Sequence, residues 1–382
     1  MKTVCAASVL AGREAFEGLG EVVVRPDDRI GPADVRDADA LIVRSKTRVD
    51  ARLLSGSSAQ FVGTATAGFD HFDTAWLEAA GIAWCAAPGC NANSVSEYVV
   101  AALLHLACRD GFELAGRTLG VIGVGQVGSR VAAKAEGLGM RVLRNDPPLQ
   151  LATGDPAFLP LDEVLRGSDI VTLHVPLTRT GPCPTFHMAG CDFFARLRPG
   201  ALFLNAARGE AMDTEALGLA LDRGIVSRAV LDVWENEPAI SAALLDRVAL
   251  GTPHIAGYSY DGRLNGTAAV YSEACRFFEA TPGWPPAECA GPAGGLLEAD
   301  ARGRSDEEVL RSLVRPVYDI EADDAALRRG PPGEMVADRF RRLRHSYPDR
   351  REFPSWTVRL ARGSPGLSGK ARALGFRIPP CP

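Results

Sequence analysis

The sequence contains no Cys-x-x-Cys pair, no apolar run approaching the length of a membrane span, and no net positive charge. Its nine cysteines are odd in number and scattered, which is typical of reduced thiols in a cytoplasm. A membrane helix needs about 20 consecutive apolar residues. The formal net charge of −5 argues against nucleic acid as the main partner, because phosphate binding requires a basic surface. We therefore expect a cytoplasmic protein that binds neither membrane nor nucleic acid and holds no metal ion.

Apolar runs rich in Val, Ile and Leu alternate with helix-like segments through the first 260 of 382 residues, as in parallel α/β sheets. A first strand follows Met1, and helices are predicted at 94–106 and 127–138. The further predicted strands are 22–24, 40–43, 61–63, 118–122, 141–143, 170–174, 201–205 and 229–233. The pattern predicts an α/β fold of more than one domain.

The composition changes in the Pro- and Gly-rich stretch 281–295, which predicts a linker. Beyond it, Ser305 and the acidic residues after it predict the start of a helix. Residues 339–344 form a basic, partly helical stretch, and 362–369 are expected to be a loop. Residues 300–382 carry 17 Lys and Arg against 12 Asp and Glu, so this segment differs in charge from the acidic remainder.

The sequence Gly123-Val124-Gly125-Gln126-Val127-Gly128 matches the dinucleotide-binding motif G-x-G-x-x-G. It follows an apolar strand and precedes a helix, where the three glycines permit a tight turn, close approach of a pyrophosphate, and helix–strand packing. The helix N-terminus then offers free N–H groups to the anion. The alternative is a glycine turn of some other α/β fold.

Asp146 lies 21 residues after Gly125, at the end of the following strand. In this fold such a carboxylate contacts the adenosine ribose hydroxyls and repels a 2′-phosphate, so NAD is favoured over NADP. Arg144 weakens this preference if its side chain turns toward the ribose.

Three residues that follow apolar segments between residues 200 and 260 have side chains suited to the oxidation of a secondary alcohol. Arg208 follows the predicted strand 201–205, and a guanidinium there can hold a carboxylate with two parallel hydrogen bonds. Glu237 and His254 follow other apolar segments and together can form a pair in which the carboxylate orients the imidazole and stabilises its charged form. His254 is then the proton acceptor. A structural role is the default for the other five histidines, except that His174 lines the predicted cofactor cleft: His71, His105, His174, His187 and His345.

Longer motifs resemble the erythronate-4-phosphate dehydrogenases, a family within the D-2-hydroxyacid dehydrogenases, over nearly the whole chain. These motifs include Val43-Arg44-Ser45, the stretch 62–71, His174-Val175-Pro176-Leu177-Thr178, the stretch 231–235 and the stretch 252–258. The resemblance implies NAD-dependent oxidation of 4-phospho-D-erythronate to (R)-3-hydroxy-2-oxo-4-phosphooxybutanoate, a step of pyridoxal 5′-phosphate (vitamin B6) biosynthesis. It also implies a homodimer formed through an extra C-terminal domain.

The resemblance further implies that Arg208, Glu237 and His254 are catalytic, and that Ser45, Thr66 and Tyr258 contact the substrate. The implied NAD contacts are Gln126, Val127, Asp146, Val175 through its backbone, Ala206, Ala207, Arg208, Asp232 and Gly257. For the substrate phosphate, the excess positive charge of the C-terminal segment leads us to expect Arg44 and an arginine from 339–351, although a solvated helix face explains any one of these arginines equally well.

The predicted architecture has two Rossmann-like lobes, with the active site in the cleft between them, plus a smaller C-terminal α+β dimerisation domain. Residues 1–98 and 262–280 form the substrate lobe, 99–261 the NAD-binding domain, 281–295 the linker and 296–382 the C-terminal domain. One alternative is a dehydrogenase for another D-2-hydroxy acid, such as 3-phosphoglycerate or glyoxylate. Another is a non-catalytic NAD-sensing scaffold, which has no need of a proton-transfer pair.

Overall fold

The computed structural model describes residues 1–289 and 291–379; Ala290 and residues 380–382, which include Cys381 and belong to the predicted linker and C-terminal domain, lie outside the described residues. The strands are β1 (Lys2–Ala6), β2 (Glu21–Arg25), β3 (Ala40–Val43), β4 (Phe61–Thr64), β5 (Ala83–Cys85), β6 (Thr118–Ile122), β7 (Arg141–Asn145), β8 (Ile170–Leu173), β9 (Ala201–Asn205), β10 (Val226–Leu231), β11 (Leu250–Gly251), β12 (Leu296–Asp300) and β13 (Thr357–Ala361). The α-helices are α1 (Gly12–Phe16), α2 (Pro32–Val35), α3 (Ala51–Leu54), α4 (Thr74–Ala79), α5 (Ala92–Asp110), α6 (Gln126–Gly137), α7 (Pro147–Thr153), α8 (Leu161–Gly167), α9 (Cys191–Ala195), α10 (Thr214–Asp222), α11 (Ala242–Leu245), α12 (Tyr260–Phe277), α13 (Asp306–Val314), α14 (Ile320–Arg328), α15 (Val336–His345) and α16 (Pro365–Leu374).

The first compact unit consists of Met1–Ala92 and Ser259–Pro292. Its five-stranded sheet has the order β2-β1-β3-β4-β5, and every pairing is parallel. Strand β3 is buried along its whole length, which explains why its sequence is continuously apolar rather than alternating. Helix α12 packs against β4 with Val270 fully buried, so a late segment of the chain completes the core of this unit.

The second compact unit consists of Asn93–Tyr258 and Ala293–Pro382. Its six-stranded sheet has the order β11-β10-β9-β8-β6-β7, again with parallel pairing throughout. The chain leaves β6 for β7 on one side and then returns to place β8 on the other side. This reversal of strand order is the point at which open α/β sheets bind ligands, outside the carboxyl ends of the strands.

The C-terminal segment of this unit, residues 293–379, packs on the same core as the six-stranded sheet. Helix α16 lies against α6, where the buried Lys134 donates a hydrogen bond from Nζ to the Leu374 carbonyl at 2.6 Å. Phe353 stacks on Phe376 with ring centroids 4.6 Å apart, and both rings are buried in the apolar cluster that contains Leu103 of α5. The segment also carries its own two-stranded parallel sheet, β12-β13.

The predicted fold class, with two Rossmann-like sheets and a smaller C-terminal part with its own sheet, is confirmed. All the predicted strands are present. Four strands were not predicted: β5 and β11, which are only three and two residues long, and the five-residue strands β12 and β13 of the C-terminal segment. The predicted loop at 362–369 was wrong, because helix α16 begins at Pro365 with Ser364 as its N-cap. The compact units divide after Ala92 and Tyr258, near the expected limits at 98 and 261, and the domain boundaries stay predictions.

Within the described residues, the eight cysteines are free thiols. No described helix combines the length and the apolar character that crossing a membrane requires.

The N-cap of α16 is open to a direct test. Ser364 Oγ accepts a hydrogen bond from Leu367 N at 3.0 Å, so Ser364→Ala should lower the free energy of unfolding by about 1 kcal/mol. Urea unfolding followed by circular dichroism measures the change. Ser368→Ala is the matched control, since it alters the same residue type inside the helix, where alanine is favourable. Equal stability of the two variants would contradict the cap.

Candidate active site

The predicted catalytic and cofactor-binding residues all lie in the second unit and follow the carboxyl ends of its parallel strands. Because parallel strands end at the same edge of a sheet, the topology gathers these residues along one side of the unit. They are Gly123, Gly125, Gln126, Val127 and Gly128 after β6, Asp146 after β7, Val175 after β8, Ala206, Ala207 and Arg208 after β9, Asp232 and Glu237 after β10, and His254 and Gly257 after β11.

The turn after β6 has the geometry that a dinucleotide phosphate requires. Gly123 adopts φ +83°, and a Cβ on Gly128 would lie 2.0 Å from the Gly123 carbonyl oxygen, so both positions require glycine. By contrast, a Cβ on Gly125 would meet no atom within 4 Å. Gly125 is also the N-cap of α6 and provides no side-chain cap, so the N–H groups of the helix N-terminus remain for an anion. These residues fit a bound pyrophosphate.

Asp146 is fixed at the end of β7 by two backbone donors. Its Oδ2 accepts from Val124 N at 2.8 Å, within the glycine turn, and its Oδ1 accepts from Leu149 N at 3.0 Å, capping α7. Arg144 forms an ion pair with Glu136 of α6. Arg144 is therefore held by a carboxylate, which favours NAD over NADP.

His254 and Glu237 form a hydrogen-bonded pair. Glu237 Oε2 accepts from His254 Nδ1 at 2.7 Å, and Oε1 accepts from Trp234 N at 2.9 Å. Burial alone would raise the pKa of Glu237, but the His254 charge and these hydrogen bonds outweigh burial and lower the pKa, with a smaller contribution from Arg344. An ionised carboxylate can only accept, so Nδ1 carries the proton and Nε2 is left for proton exchange with a substrate.

The loop that carries His254 is anchored by the buried carboxylate of Asp232. Oδ1 of Asp232 accepts from Ile255 N at 2.8 Å and Thr252 Oγ1 at 2.7 Å, and Oδ2 accepts from Ala256 N at 2.9 Å. Burial raises the pKa of Asp232, against the His254 charge and these hydrogen bonds. His254 itself has φ +58°, and its N–H donates to the Asp232 carbonyl at 2.7 Å. The structure thus shows Asp232 as a loop anchor, and its contact with NAD stays a prediction.

Arg208 is held beside the Glu237 loop by the glycine that follows it. A Cβ on Gly209 would lie 1.9 Å from the Trp234 carbonyl oxygen, so glycine permits the loops after β9 and β10 to approach closely. Asn205 Nδ2 donates to the Arg208 carbonyl at 2.9 Å, and Arg208 Nη1 donates to the Ala207 carbonyl at 2.9 Å. The guanidinium is half-buried at the same sheet edge as the His254–Glu237 pair.

Three predicted substrate contacts lie in the first unit, also after strand ends. Arg44 and Ser45 follow β3, and Thr66 follows β4. Arg44 Nη1 lies 3.5 Å from the Ser8 carbonyl. Thr66 Oγ1 donates to the Gly68 carbonyl at 2.7 Å and accepts from Thr64 Oγ1 at 2.7 Å, which leaves one lone pair to accept from a ligand. The neighbouring parallel strands therefore bring these polar groups to one edge of this sheet.

Tyr258, the fourth predicted substrate contact, lies in the second unit beside the C-terminal segment. Its ring packs edge-on against Tyr347 with centroids 6.0 Å apart, and the Arg344 guanidinium carbon lies 5.9 Å from the Tyr258 ring centroid. The sequence predicted that an arginine from residues 339–351 contacts the substrate phosphate, but it did not single out Arg344. Only packing of α15 shows which arginine of this amphipathic helix faces the site.

Three other histidines of the second unit have other partners. His105 Nδ1 lies 3.2 Å from Glu321, and His187 Nε2 lies 2.6 Å from Glu235. His174 Nε2 is 3.0 Å from Thr172 Oγ1, and burial lowers the pKa of His174 to about 3, so this imidazole is neutral. His254, with Glu237 as its carboxylate partner and with Arg208 at the same sheet edge, therefore fits the proton acceptor best.

Comparisons with known proteins agree with this geometry. Residues 101–256 match the family model "D-isomer specific 2-hydroxyacid dehydrogenase, NAD binding domain", and residues 292–375 match "Domain of unknown function (DUF3410)". The NAD+-bound 3-phosphoglycerate dehydrogenase of Entamoeba histolytica is similar with a TM-score of 0.63 and 27% identity, covering 74% of this chain and 97% of that one. The D-lactate dehydrogenase of Aquifex aeolicus, in complex with NAD and lactic acid, has a TM-score of 0.59 and 27% identity, covering 72% and 95%. Fold and site define an NAD-dependent 2-hydroxyacid dehydrogenase.

The chain is also 46% identical over 360 residues to the erythronate-4-phosphate dehydrogenase of Cronobacter sakazakii, covering 94% of each chain. It is 47% identical over 364 residues to the same enzyme of Azotobacter vinelandii, covering 94% of this chain and 95% of the relative. The chain belongs to the erythronate-4-phosphate dehydrogenase family. The predictions of a dehydrogenase and of NAD as its cofactor are confirmed, whereas the roles of individual site residues stay predictions.

Glu237→Gln tests the charge of the pair. His254 and Trp234 N donate to different oxygens of Glu237, and in glutamine one of these is an NH2 group that cannot accept. The imidazolium also loses its counter-charge, so kcat should fall by about 100-fold or more. Because Glu237 has a lowered pKa, it stays ionised as the pH falls, and the acidic limb of the oxidation rate reports His254. That limb should move to lower pH in the variant.

The measurement is NADH formation as a function of pH, with Glu235→Gln as the matched control, since Glu235 pairs with His187 instead. An unshifted acidic limb in Glu237→Gln, or an equal shift in the control, would show that Glu237 does not stabilise the charged base.

Proposed function

We propose that this protein oxidises the C2 hydroxyl of 4-phospho-D-erythronate with NAD+, giving (R)-3-hydroxy-2-oxo-4-phosphooxybutanoate in the biosynthesis of pyridoxal 5′-phosphate. The observation that carries the proposal is the 2.7 Å His254–Glu237 hydrogen bond at the sheet edge that also holds Arg208 and the glycine turn. The names of the relatives, which match 94% of the chain, support the choice of substrate.

His254 Nε2 accepts the proton of the C2 hydroxyl, while Nδ1 stays hydrogen-bonded to Glu237. The Glu237 carboxylate stabilises the imidazolium that forms. Its hydrogen bond with Nδ1 also keeps the imidazole ring in one orientation, so that Nε2 can donate the proton in the reverse reaction. Arg208 binds the C1 carboxylate through its planar fork and so orients C2. The chemistry that NAD+ supplies when bound is acceptance of the hydride from C2.

Other polar groups hold the remainder of the substrate. We assign contacts with its carboxylate and hydroxyl groups to Ser45, Thr66 and Tyr258. Thr66 suits a hydroxyl donor, because its own proton is already given to the Gly68 carbonyl. These contacts follow from family membership and from the placement of each side chain after a strand or in the His254 loop.

The substrate phosphate is assigned to Arg44 and, from the C-terminal cluster, to Arg344. Arg339 and Arg342 pair with Glu334, and Arg341 pairs with Asp338, so these three guanidiniums have carboxylate partners. Arg344 instead lies over Tyr258 and contributes to the lowered pKa of Glu237. Its Nε is shielded from solvent and makes no hydrogen bond within residues 1–289 and 291–379.

Arg344→Met should raise the KM for 4-phospho-D-erythronate by about tenfold or more, since hydrogen bonds to charged groups are the stronger ones. The KM for NAD should change little. Steady-state kinetics with D-erythronate, which lacks the phosphate, separates the two anionic groups: the difference between variant and wild type should vanish there.

Arg341→Met is the matched control, because Arg341 lies on the same helix, is 63% exposed and pairs with Asp338. An unchanged KM in Arg344→Met would remove Arg344 from the phosphate site. A penalty that persists with D-erythronate would reassign it to the carboxylate.

We also propose a cytoplasmic homodimer that associates through the C-terminal segment. Strand β12 is a sheet edge with the large apolar side chain of Leu296 about half exposed (49%), and such an edge is a template for pairing with a second copy. The free thiols of the described residues fit a reducing compartment.

The proposed reaction is tested by NADH formation from 4-phospho-D-erythronate and, separately, from 3-phosphoglycerate. The wild type should oxidise the erythronate alone, and His254→Ala should lose at least about 100-fold in kcat. His187→Ala is the matched control, because His187 also pairs with a glutamate in the same unit, at 2.6 Å, but is not assigned to proton transfer.

Oxidation of 3-phosphoglycerate instead would reassign the substrate. Binding of NAD without oxidation of either acid would favour the non-catalytic scaffold. Equal losses in the two histidine variants would contradict the assignment of His254 as the base.

A further inference from the structure

A buried ion pair connects the C-terminal segment to helix α5. Arg350 Nη1 donates to Glu97 Oε2 at 2.8 Å, and the two side chains are 9% and 0% exposed. The other Glu97 oxygen accepts from Asn93 Nδ2 at 2.9 Å and Phe353 N at 2.7 Å. Burial raises the pKa of Glu97 to about 7, and the Arg350 charge opposes that rise. A buried ion pair stabilises a fold poorly compared with apolar packing. The position in which this pair holds the Arg350 guanidinium is therefore of more consequence than its stability.

The second arm of the Arg350 guanidinium contacts Ser94, one helical turn before Glu97. Arg350 Nη2 donates to Ser94 Oγ at 2.6 Å, and Ser94 Oγ donates to the Ala256 carbonyl at 2.7 Å. The Arg350 donor points at the hydroxyl oxygen, so the single hydroxyl proton is directed to Ala256. The chain of contacts therefore ends two residues from His254.

The Ala256 residue is held from both sides by this arrangement. Its N–H donates to the Asp232 carboxylate at 2.9 Å, and its carbonyl accepts from Ser94. The Arg350 guanidinium is itself fixed by stacking on the Tyr318 ring, 3.9 Å from the centroid. Asp232 anchors the His254 loop from the sheet, and Ser94 anchors it from α5.

We propose that Arg350 is a positioning residue for the His254 loop, residues 252–258, and that it acts through Ser94. Arg350, which is not among the assigned substrate contacts, thereby influences the geometry of proton transfer. The proposal rests on the proposed function for its kinetic consequence, whereas the mechanical link is measurable without any substrate.

Hydrogen–deuterium exchange of the loop measures the link directly. Ser94→Ala removes the hydroxyl that joins Arg350 to the Ala256 carbonyl and retains the Arg350–Glu97 ion pair. Arg350→Met removes the guanidinium and with it both contacts. Each should speed exchange of the Ile255 and Ala256 amides by about tenfold, and the double variant should show no further increase, because both changes break one chain of contacts. Arg350→Lys should be intermediate, since an ammonium cannot reproduce the two-armed donation to Glu97 and Ser94.

Kinetics supply the second readout. In Ser94→Ala and Arg350→Met, kcat should fall by about tenfold while the KM for NAD changes less than about twofold, because the glycine turn is untouched. Arg339→Met is the matched control: Arg339 is also 9% exposed and paired with a glutamate, but it donates to the Leu327 and Arg328 carbonyls. It should lower Tm without speeding exchange at residues 255 and 256.

Unchanged exchange and kcat in both Ser94→Ala and Arg350→Met would overturn the proposal. So would equal acceleration of loop exchange in Arg339→Met, which would indicate general loosening of the C-terminal segment. If the proposed substrate is wrong, the wild type itself forms no NADH, while loop exchange still decides whether Arg350 positions the loop.

Discussion

The buried carboxylate of Asp232 is the constraint on which the geometry of the candidate active site depends. It lies just beyond β10 and accepts hydrogen bonds from three residues of the loop after β11. These bonds, together with the Asp232 carbonyl that accepts from His254 N, hold the histidine backbone at φ +58°. A non-glycine residue in that conformation persists only when its surroundings over-determine it. The position of His254 beside Glu237 thus depends on a buried carboxylate whose two oxygens both accept hydrogen bonds.

Parallel sheets explain why residues so far apart in sequence share one edge. Each strand of the second unit delivers its following loop to the same side, so the phosphate turn, Arg208, Glu237 and His254 need no dedicated framework. Close approach is then set locally. Gly209 permits the Arg208 loop to contact Trp234, whose backbone N–H also fixes Glu237.

The C-terminal segment belongs physically to the NAD-binding unit. It shares an apolar core with α5 and α6 through Phe353 and α16, and it places Arg344 beside Tyr258. A dehydrogenase scaffold common to several substrates is thereby given a basic helix close to its catalytic loop. The loop that carries His254 is thus contacted by a part of the chain outside the two sheets.

The sequence by itself determined the α/β class, the glycine turn and the acidic residue after β7, because these depend on local patterns. It also singled out Arg208, Glu237 and His254 from residue chemistry at strand ends, and their catalytic roles stay predictions. Its errors were local as well. The Gly, Ser and Pro content of 362–369 hid the helix that Ser364 caps, β5 and β11 were too short to produce a pattern, and the strands β12 and β13 of the C-terminal segment were not recognised. Only the tertiary structure decided which arginine of the basic cluster faces Tyr258, that Asp232 anchors a loop, and that Glu97 and Arg350 meet. Those facts depend on contacts between residues up to 253 positions apart, and no periodicity in a single sequence records which distant side chains will share a buried site.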